Sequence, residues 1–292
     1  EFHNRLGRAR RDHRKTLPLL KAMHDECARL SDGELLLLPG EEPNVHLGGH
    51  WISFFPRPVM WVLNRAKDKS FIEEHPEYGR VYHVGSTGEV LKMMELEKGL
   101  MWAAHPRIKG STGYPDRYRE ETFFKSDHYL GGAWKAMPAD LSRTRLGWRV
   151  LDLLDDTANW GANKYILGEV DIFEVDHTTE FYAHANVNYL RLDSIPRYGG
   201  GWAPVLKALR DGAFFISTGE VLLPRFTVGG KASGETLKIN AFGKAKLEAG
   251  LTWTFPMAFA EVITGDGKVV HRKRINLSGT GPFGKRALSE TL

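Results

Sequence analysis

The sequence predicts an α/β protein: an incomplete β/α barrel over residues 1–220, followed by a small β-sandwich over residues 221–292. Three observations carry this reading. Short, wholly apolar runs bounded by glycine and proline alternate with stretches of helical period, which is the texture of parallel β/α units. Metal-capable side chains follow directly on those apolar runs. From about Leu222 the helical period disappears and alternating, β-rich segments take over.

Residues 16–31 read as an amphipathic helix, with Thr16 as cap, Pro18 tolerated in the first turn, and Leu20, Met23, Cys27 and Leu30 at helical spacing. Residues 35–38 are four leucines between Gly33 and Pro39-Gly40, as expected of a strand buried on both faces. Apolar material follows at 51–55 and 59–63. Ser86-Thr87-Gly88-Glu89 is a capping box that opens a helix through Val90, Leu91, Met94 and Glu97, closed by Gly99. Residues 100–104 form a second apolar strand that runs straight into His105-Pro106. A long polar loop is expected over 108–140, a helix over 141–159, and a third strand over 165–175 that ends at Asp176-His177. Trp202, Val205, Leu206 and Leu209 mark another helix, stopped at Gly212, and 213–217 is a strand. Beyond it, 225–228, 236–239 and 251–255 are β-rich. Gly265-Asp266-Gly267 is a hairpin turn between 259–264 and 268–272. The polar end at Leu292 reads as a sandwich lacking its last strands.

Composition bounds the function. With 42% apolar and 26% charged residues in 292, the chain can bury a sizeable core. Its net charge of +4 is small, and the basic run at Arg8, Arg10, Arg11, Arg14 and Lys15 reads as a solvated helix face, so nucleic acid is not an expected partner. No apolar run reaches the roughly 20 residues that span a bilayer, so no membrane partner is expected either. The single cysteine, Cys27, excludes an intrachain disulfide and sits on an apolar stripe, which fits core packing better than nucleophilic chemistry. Cysteine usage is therefore compatible with a cytoplasmic or an exported protein. No feature assigns an oligomeric state. The start at Glu1-Phe2-His3-Asn4 reads as that of a fragment lacking an N-terminal strand.

The chemistry is positional. Glu41-Glu42 follow the first apolar run, His105 follows the second and Asp176-His177 follow the third. In a parallel β/α barrel all strand C-termini open on one rim, so three strands would deliver metal-capable groups to one face. His50, framed by Gly48-Gly49, can fold back over that rim on a flexible turn. Imidazoles and carboxylates together suit zinc, manganese or iron without any thiolate. Each residue also has a plainer reading: Glu42 as a solvated acid, His50 as a packed histidine beside Trp51, Asp176-His177 as a surface pair. Arg107 reads equally as a contact for an anionic substrate or as a surface salt bridge.

The ordered motifs Pro39-Gly40-Glu41-Glu42, Gly48-Gly49-His50-Trp51 and Ala104-His105-Pro106-Arg107 resemble the later motifs of the PHP (polymerase and histidinol phosphatase) superfamily, in particular its CehA/McbA-type branch. Residues 167–171 and 209–219 are similar to that branch as well, so the resemblance covers about 33–230. It implies a distorted (β/α)7 barrel with two or three divalent metal ions. It also implies hydrolysis of phosphoester, or ester and carbamate-type, bonds of a small molecule through a metal-activated water. It carries over Glu42 as a bridging carboxylate and His50 and His105 as ligands. Asp176 and His177 would close the site, although they are adjacent where the family has an intervening residue. His184, Glu169 and Asp171 are alternatives. The family's opening His-x-His is absent, and His3 corresponds to the histidine of a second motif whose aspartate position holds Phe2. A carbohydrate-binding module, served by the eight tryptophans and the β-rich tail, and a degenerate non-catalytic barrel are the other readings.

Overall fold

The computed structural model describes residues 13–108, 111–135, 148–171 and 186–292. The chain divides into two units, Glu1–Gly131 with Leu192–Arg210, and Gly132–Arg191 with Asp211–Leu292.

In the first unit, helix α1 (His13–Leu30) starts three residues before its expected cap. Thr16 is therefore not a cap but an interior residue, 3% exposed. Leu17 and Leu20 are buried, and Leu17 packs on Val62 and Val81. Leu30, expected on the same stripe, lies in the exposed last turn. The leucine run at 35–38 is not a doubly buried strand. Local side-chain bonds take up two of its backbone donors: Asp32 Oδ1 accepts from the amide of Leu35, as from that of the preceding Glu34, and Ser31 Oγ accepts from that of Leu37. Such bonds compete with a ladder. The strand here is the short β1 (Gly40–Glu41) instead.

Next come β2 (Trp51–Phe54), β3 (Met60–Val62), β4 (Ile72–His75) and β5 (Gly79–His83). Strands β3-β5-β4 form one sheet, in which β3 and β5 are parallel and β4 is antiparallel. Helix α2 (Thr87–Glu97) begins as expected: the Ser86 side chain accepts from the amide of Glu89. Its left-handed C-cap is Lys98, not Gly99. Gly99 is needed for another reason, since a Cβ there would stand 2.6 Å from Met94 Sδ and 2.7 Å from the Phe55 ring. Strand β6 (Leu100–Ala103) follows immediately.

The expected loop over 108–140 contains a short helix α3 (Thr122–Lys125) and strand β7 (Tyr129–Lys135). Gly131-Gly132 inside β7 gave that stretch the look of a turn. The order within this sheet is β1-β2-β6-β7. Both β1 and β6 pair with β2 in the antiparallel sense, contrary to the parallel pairing expected, and no closed barrel forms among the described residues.

In the second unit, α4 (Trp148–Asn159) is followed by β8 (Tyr165–Glu169), which borders β7, and by β9 (Val187–Leu190). The chain returns to the first unit for α5 (Ala203–Asp211), which ends at Gly212 with φ of 73° as its sequence signal requires. Strand β10 (Phe214–Ser217) pairs antiparallel with β9. The β-rich remainder comprises β11 (Val221–Val228), β12 (Lys231–Ala232), β13 (Lys246–Trp253), β14 (Phe259–Gly265), β15 (Val270–Asn276) and β16 (Gly284–Thr291). The order β12-β11-β13-β16 makes one sheet. Alternate residues of β13, namely Leu247, Ala249, Leu251 and Trp253, form its core with Leu277 and Leu288, and Val262 and Ile275 of the β14–β15 hairpin pack against it. The hairpin turn is as expected, with Asp266 Oδ1 accepting from the amides of Lys268 and Val269.

One expectation fails here. Residues 236–239 form no strand, and Ile239 is 55% exposed. In the polar sequence near Leu292, β16 pairs with β13 along its whole length. Only Leu288 of β16 is buried, so this strand has no apolar alternation to betray it. No helix among the described residues is long and apolar enough to cross a membrane.

Burial in α1 pushes the His24 imidazole from 6.5 down to about 4, against the pull of Asp25 and with a smaller push from Lys21. The unfolded chain takes up a proton near pH 6.5 whereas the folded one stays neutral to about pH 4. The stability present above pH 6.5 is therefore lost as pH falls through this window, by up to about 3 kcal/mol. Denaturant titrations at pH 7.5 and 4.5 are expected to show a smaller acid loss for His24→Gln than for the parent. An equal loss in the two proteins would contradict this.

Candidate metal centre

Strand pairing assembles the site. Glu41 of β1 stands opposite Ser53 of β2, and Trp51 of β2 opposite Ala103 of β6. Because both neighbours are antiparallel to β2, β1 and β6 run in the same direction and end beside the start of β2. Glu42 follows the end of β1, His105 stands two residues beyond β6, and His50 immediately precedes β2. The Ala104 amide donates to the His50 carbonyl at 3.1 Å, which adds a rung beyond the strands and fixes the two histidines against each other.

The three side chains meet on one carboxylate oxygen. Glu42 Oε1 is 2.9 Å from His50 Nδ1 and 3.2 Å from His105 Nε2. The imidazole centroids are 4.8 Å apart and inclined at 47°. One ligand-capable atom from each residue lies within 4.8 Å of the other two. Exposure is graded, with the His105 side chain at 3%, Glu42 at 17% and His50 at 34%. The cluster is thus anchored at one side and open at the other. Burial raises the Glu42 carboxyl, but the hydrogen bonds and charge of His105 and His50 outweigh it and hold Glu42 below the usual carboxylate range.

The sequence read Gly48-Gly49 as a flexible turn, yet both glycines serve close packing. A Cβ on Gly49 would lie 2.5 Å from the Tyr114 ring, and one on Gly48, where φ is 92°, would lie 2.1 Å from the Tyr118 ring. Those rings belong to an aromatic group with Phe123 and Tyr129 that no periodicity in the 108–140 segment announced. Burial pushes the Tyr114 and Tyr129 phenols well above their ordinary range, so they stay protonated. Ser111, fully buried, accepts the His50 amide at 3.1 Å. Neither Ser111 nor the tyrosines carry a motif readable in the sequence.

The other expected residues are distributed as follows. Arg107, with φ of 66°, makes a two-pronged ion pair with Asp116 at 2.7 and 3.1 Å. Glu169, the last residue of β8, and Asp171 belong to the second unit. His3, Asp176, His177 and His184 lie outside the described residues. Cys27 is half-buried, and burial together with Glu26 pushes its thiol up, away from nucleophilic reactivity.

No family model matches the chain, and no curated protein matches it. Among solved structures it is similar to a two-domain protein from Bacteroides vulgatus ATCC 8482 containing a predicted PHP-like metal-dependent phosphoesterase. That likeness has 12% identity and a TM-score of 0.41, over 93% of this chain and 69% of the other. At this distance it assigns neither a family nor an activity.

The packing behind His50 makes a prediction. Gly49→Ala forces a methyl group into the Tyr114 ring and is expected to cost about 1–3 kcal/mol in denaturant unfolding, as overpacked sites do. Gly33→Ala, where nothing lies within 4 Å of the added Cβ, is the control and is expected to stay within about 0.5 kcal/mol. Equal effects of the two would show that Tyr114 does not restrain this turn.

Proposed function

We propose that Glu42, His50 and His105 bind a divalent transition-metal ion and that the chain is a metal-dependent hydrolase of a small phosphoester, ester or carbamate-type substrate. One observation carries the reading: two imidazoles and a carboxylate from three separate chain segments converge on a single point. A cluster held only for stability would be better served by apolar side chains, because burying ionisable groups costs free energy that their mutual attraction rarely more than offsets.

The donor set fits such an ion. Two nitrogen ligands and one carboxylate oxygen suit zinc, manganese or iron, and a three-residue set leaves coordination positions for water and substrate. When bound, a divalent cation supplies Lewis acidity: it polarises a phosphoryl or carbonyl oxygen and acidifies water towards neutral pH. The residues of the chain do the rest. Glu42, already held ionised below the usual carboxylate range, contributes the negative charge that retains a cation. Buried His105 anchors the site, and His50, a third exposed, stands at its accessible side. Ser111 holds the His50 backbone, and thereby the direction of its ring, from behind.

Under this reading the fold is a PHP-like one of the CehA/McbA type, with a barrel domain to about residue 220 and a β-sandwich beyond it. Further ligands for a second or third ion would come from His3 and from among Asp176, His177, His184, Glu169 and Asp171.

Elemental analysis of the protein after equilibration with zinc or manganese and removal of free metal is expected to give stoichiometric metal. His105→Ala and Glu42→Gln are each expected to retain at least about tenfold less. Hydrolysis of p-nitrophenyl phosphate or p-nitrophenyl acetate is expected to vanish on chelation and return on adding metal back. Absence of metal from the parent, or unchanged metal in both variants, would sink the site. Stoichiometric metal without hydrolysis of either ester would leave a metal-binding module in place of a hydrolase.

A further inference from the structure

The second unit contains a cavity that the metal reading does not use. It has a volume of about 710 Å³, within the size range of small-molecule sites, and lies where the β9–β10 pair meets β11 and β12. Its walls include Tyr189, Phe215, Leu223 and Phe226, and two cations, Arg191 and Arg225, stand at it. No acidic side chain is among the described residues that line it.

Its aromatic wall is built by strand register. Phe215 of β10 is paired with Tyr189 of β9, which stacks their rings almost parallel, with an interplanar angle of 2° and centroids 4.7 Å apart. Tyr189 and Phe226 nevertheless each keep 37% of their surface exposed, so this aromatic surface is not covered by other side chains. The floor is held in place. The Ser233 hydroxyl donates to the Gly212 carbonyl at 2.6 Å, and a Cβ on Gly234 would meet the Asp211 carbonyl at 2.3 Å, which pins the turn after β12 against the start of β10. Arg191 is tethered through its amide to the Ala213 carbonyl at 2.9 Å, and its guanidinium donates to the Ser233 carbonyl at 3.4 Å. Arg225 has Glu248 at 3.6 Å, and its side chain is 67% exposed.

These features select a ligand class. A flat π-system continues an aromatic stack in offset geometry, and guanidinium groups pair with carboxylates in a charge-assisted, two-pronged manner. A sugar would need many converging polar groups, but the Ser233 hydroxyl, the one aliphatic hydroxyl among the described lining residues, is already engaged with backbone. We propose that this cavity binds an aromatic carboxylate, with its ring against Tyr189, Phe215 and Phe226 and its carboxylate at Arg191 and Arg225.

Isothermal titration of the full chain with 2-naphthoate and with its uncharged analogue 2-naphthamide tests this. Naphthoate is expected to bind saturably and about tenfold or more tightly than the amide, a difference of about 1.4 kcal/mol. Arg225→Gln combined with Arg191→Gln is expected to erase that preference while leaving the amide's affinity unchanged. Tyr189→Ala is expected to weaken both ligands. Since the metal site could itself attract a carboxylate, the titration is repeated on His105→Ala, where the binding is expected to persist. Absent or non-saturable binding of naphthoate, equal affinity for the two ligands, a preference that survives the double arginine substitution, unchanged affinity in Tyr189→Ala, or loss of binding in His105→Ala would each overturn the proposal.

Discussion

A single carboxylate oxygen shared by two imidazoles is the constraint around which the first unit is arranged. Glu42 Oε1 lies within 3.2 Å of nitrogen atoms from two histidines that are 55 residues apart in the chain. An ionised carboxylate that is only 17% exposed is tolerable when it is paired and hydrogen-bonded, and costly otherwise. Satisfying it requires that the ends of β1 and β6 and the start of β2 coincide. Antiparallel pairing of β2 with both neighbours meets that requirement with three short strands.

What holds the arrangement rigid lies behind it. Tyr118 and Tyr114 press on Gly48 and Gly49, Ser111 takes the His50 amide, and Asp116 takes Arg107 just beyond His105. The segment that looked like an irregular polar loop is therefore the support of the site. A ligand set needs such backing, because side chains free to rotate lose affinity through the entropy of ordering them. The same logic operates separately in the second unit, where strand register stacks Tyr189 on Phe215 and Ser233 bridges neighbouring backbone to shape a cavity.

Elsewhere the molecule handles buried charge by direct pairing. Glu97, 4% exposed at the end of α2, accepts from the Tyr82 hydroxyl and from Arg57, each at 2.5 Å. His83, almost fully buried, contacts Glu73 at 2.7 Å. In each of these sites acid and donor come from different elements, so the pairs tie elements together. The Glu42 cluster differs in bringing two imidazoles to one oxygen, which is what gives it the composition of a ligand set.

The sequence by itself determined the residues of the candidate centre and several elements around them. Glu42, His50 and His105 stood out because each abuts an apolar or glycine-bounded run, and the Ser86 capping box, the Gly212 stop and the Gly265-Asp266-Gly267 hairpin announced themselves through local backbone chemistry. Such signals act over a few residues, so a sequence can display them. Tertiary structure alone decided which strands pair and in which sense. Hydrophobic runs record that a segment is buried but not beside what, so the parallel barrel rim expected for β1 and β6 became an antiparallel arrangement about β2. Tertiary structure also decided that residues 35–38 stay out of the sheet and that β16 joins one. In the first case local hydrogen bonds outcompeted a ladder; in the second a strand with one buried side chain left no periodic trace. The purpose of Gly48 and Gly49 was legible only from the other side of the contact, in two tyrosines some 65–70 residues away.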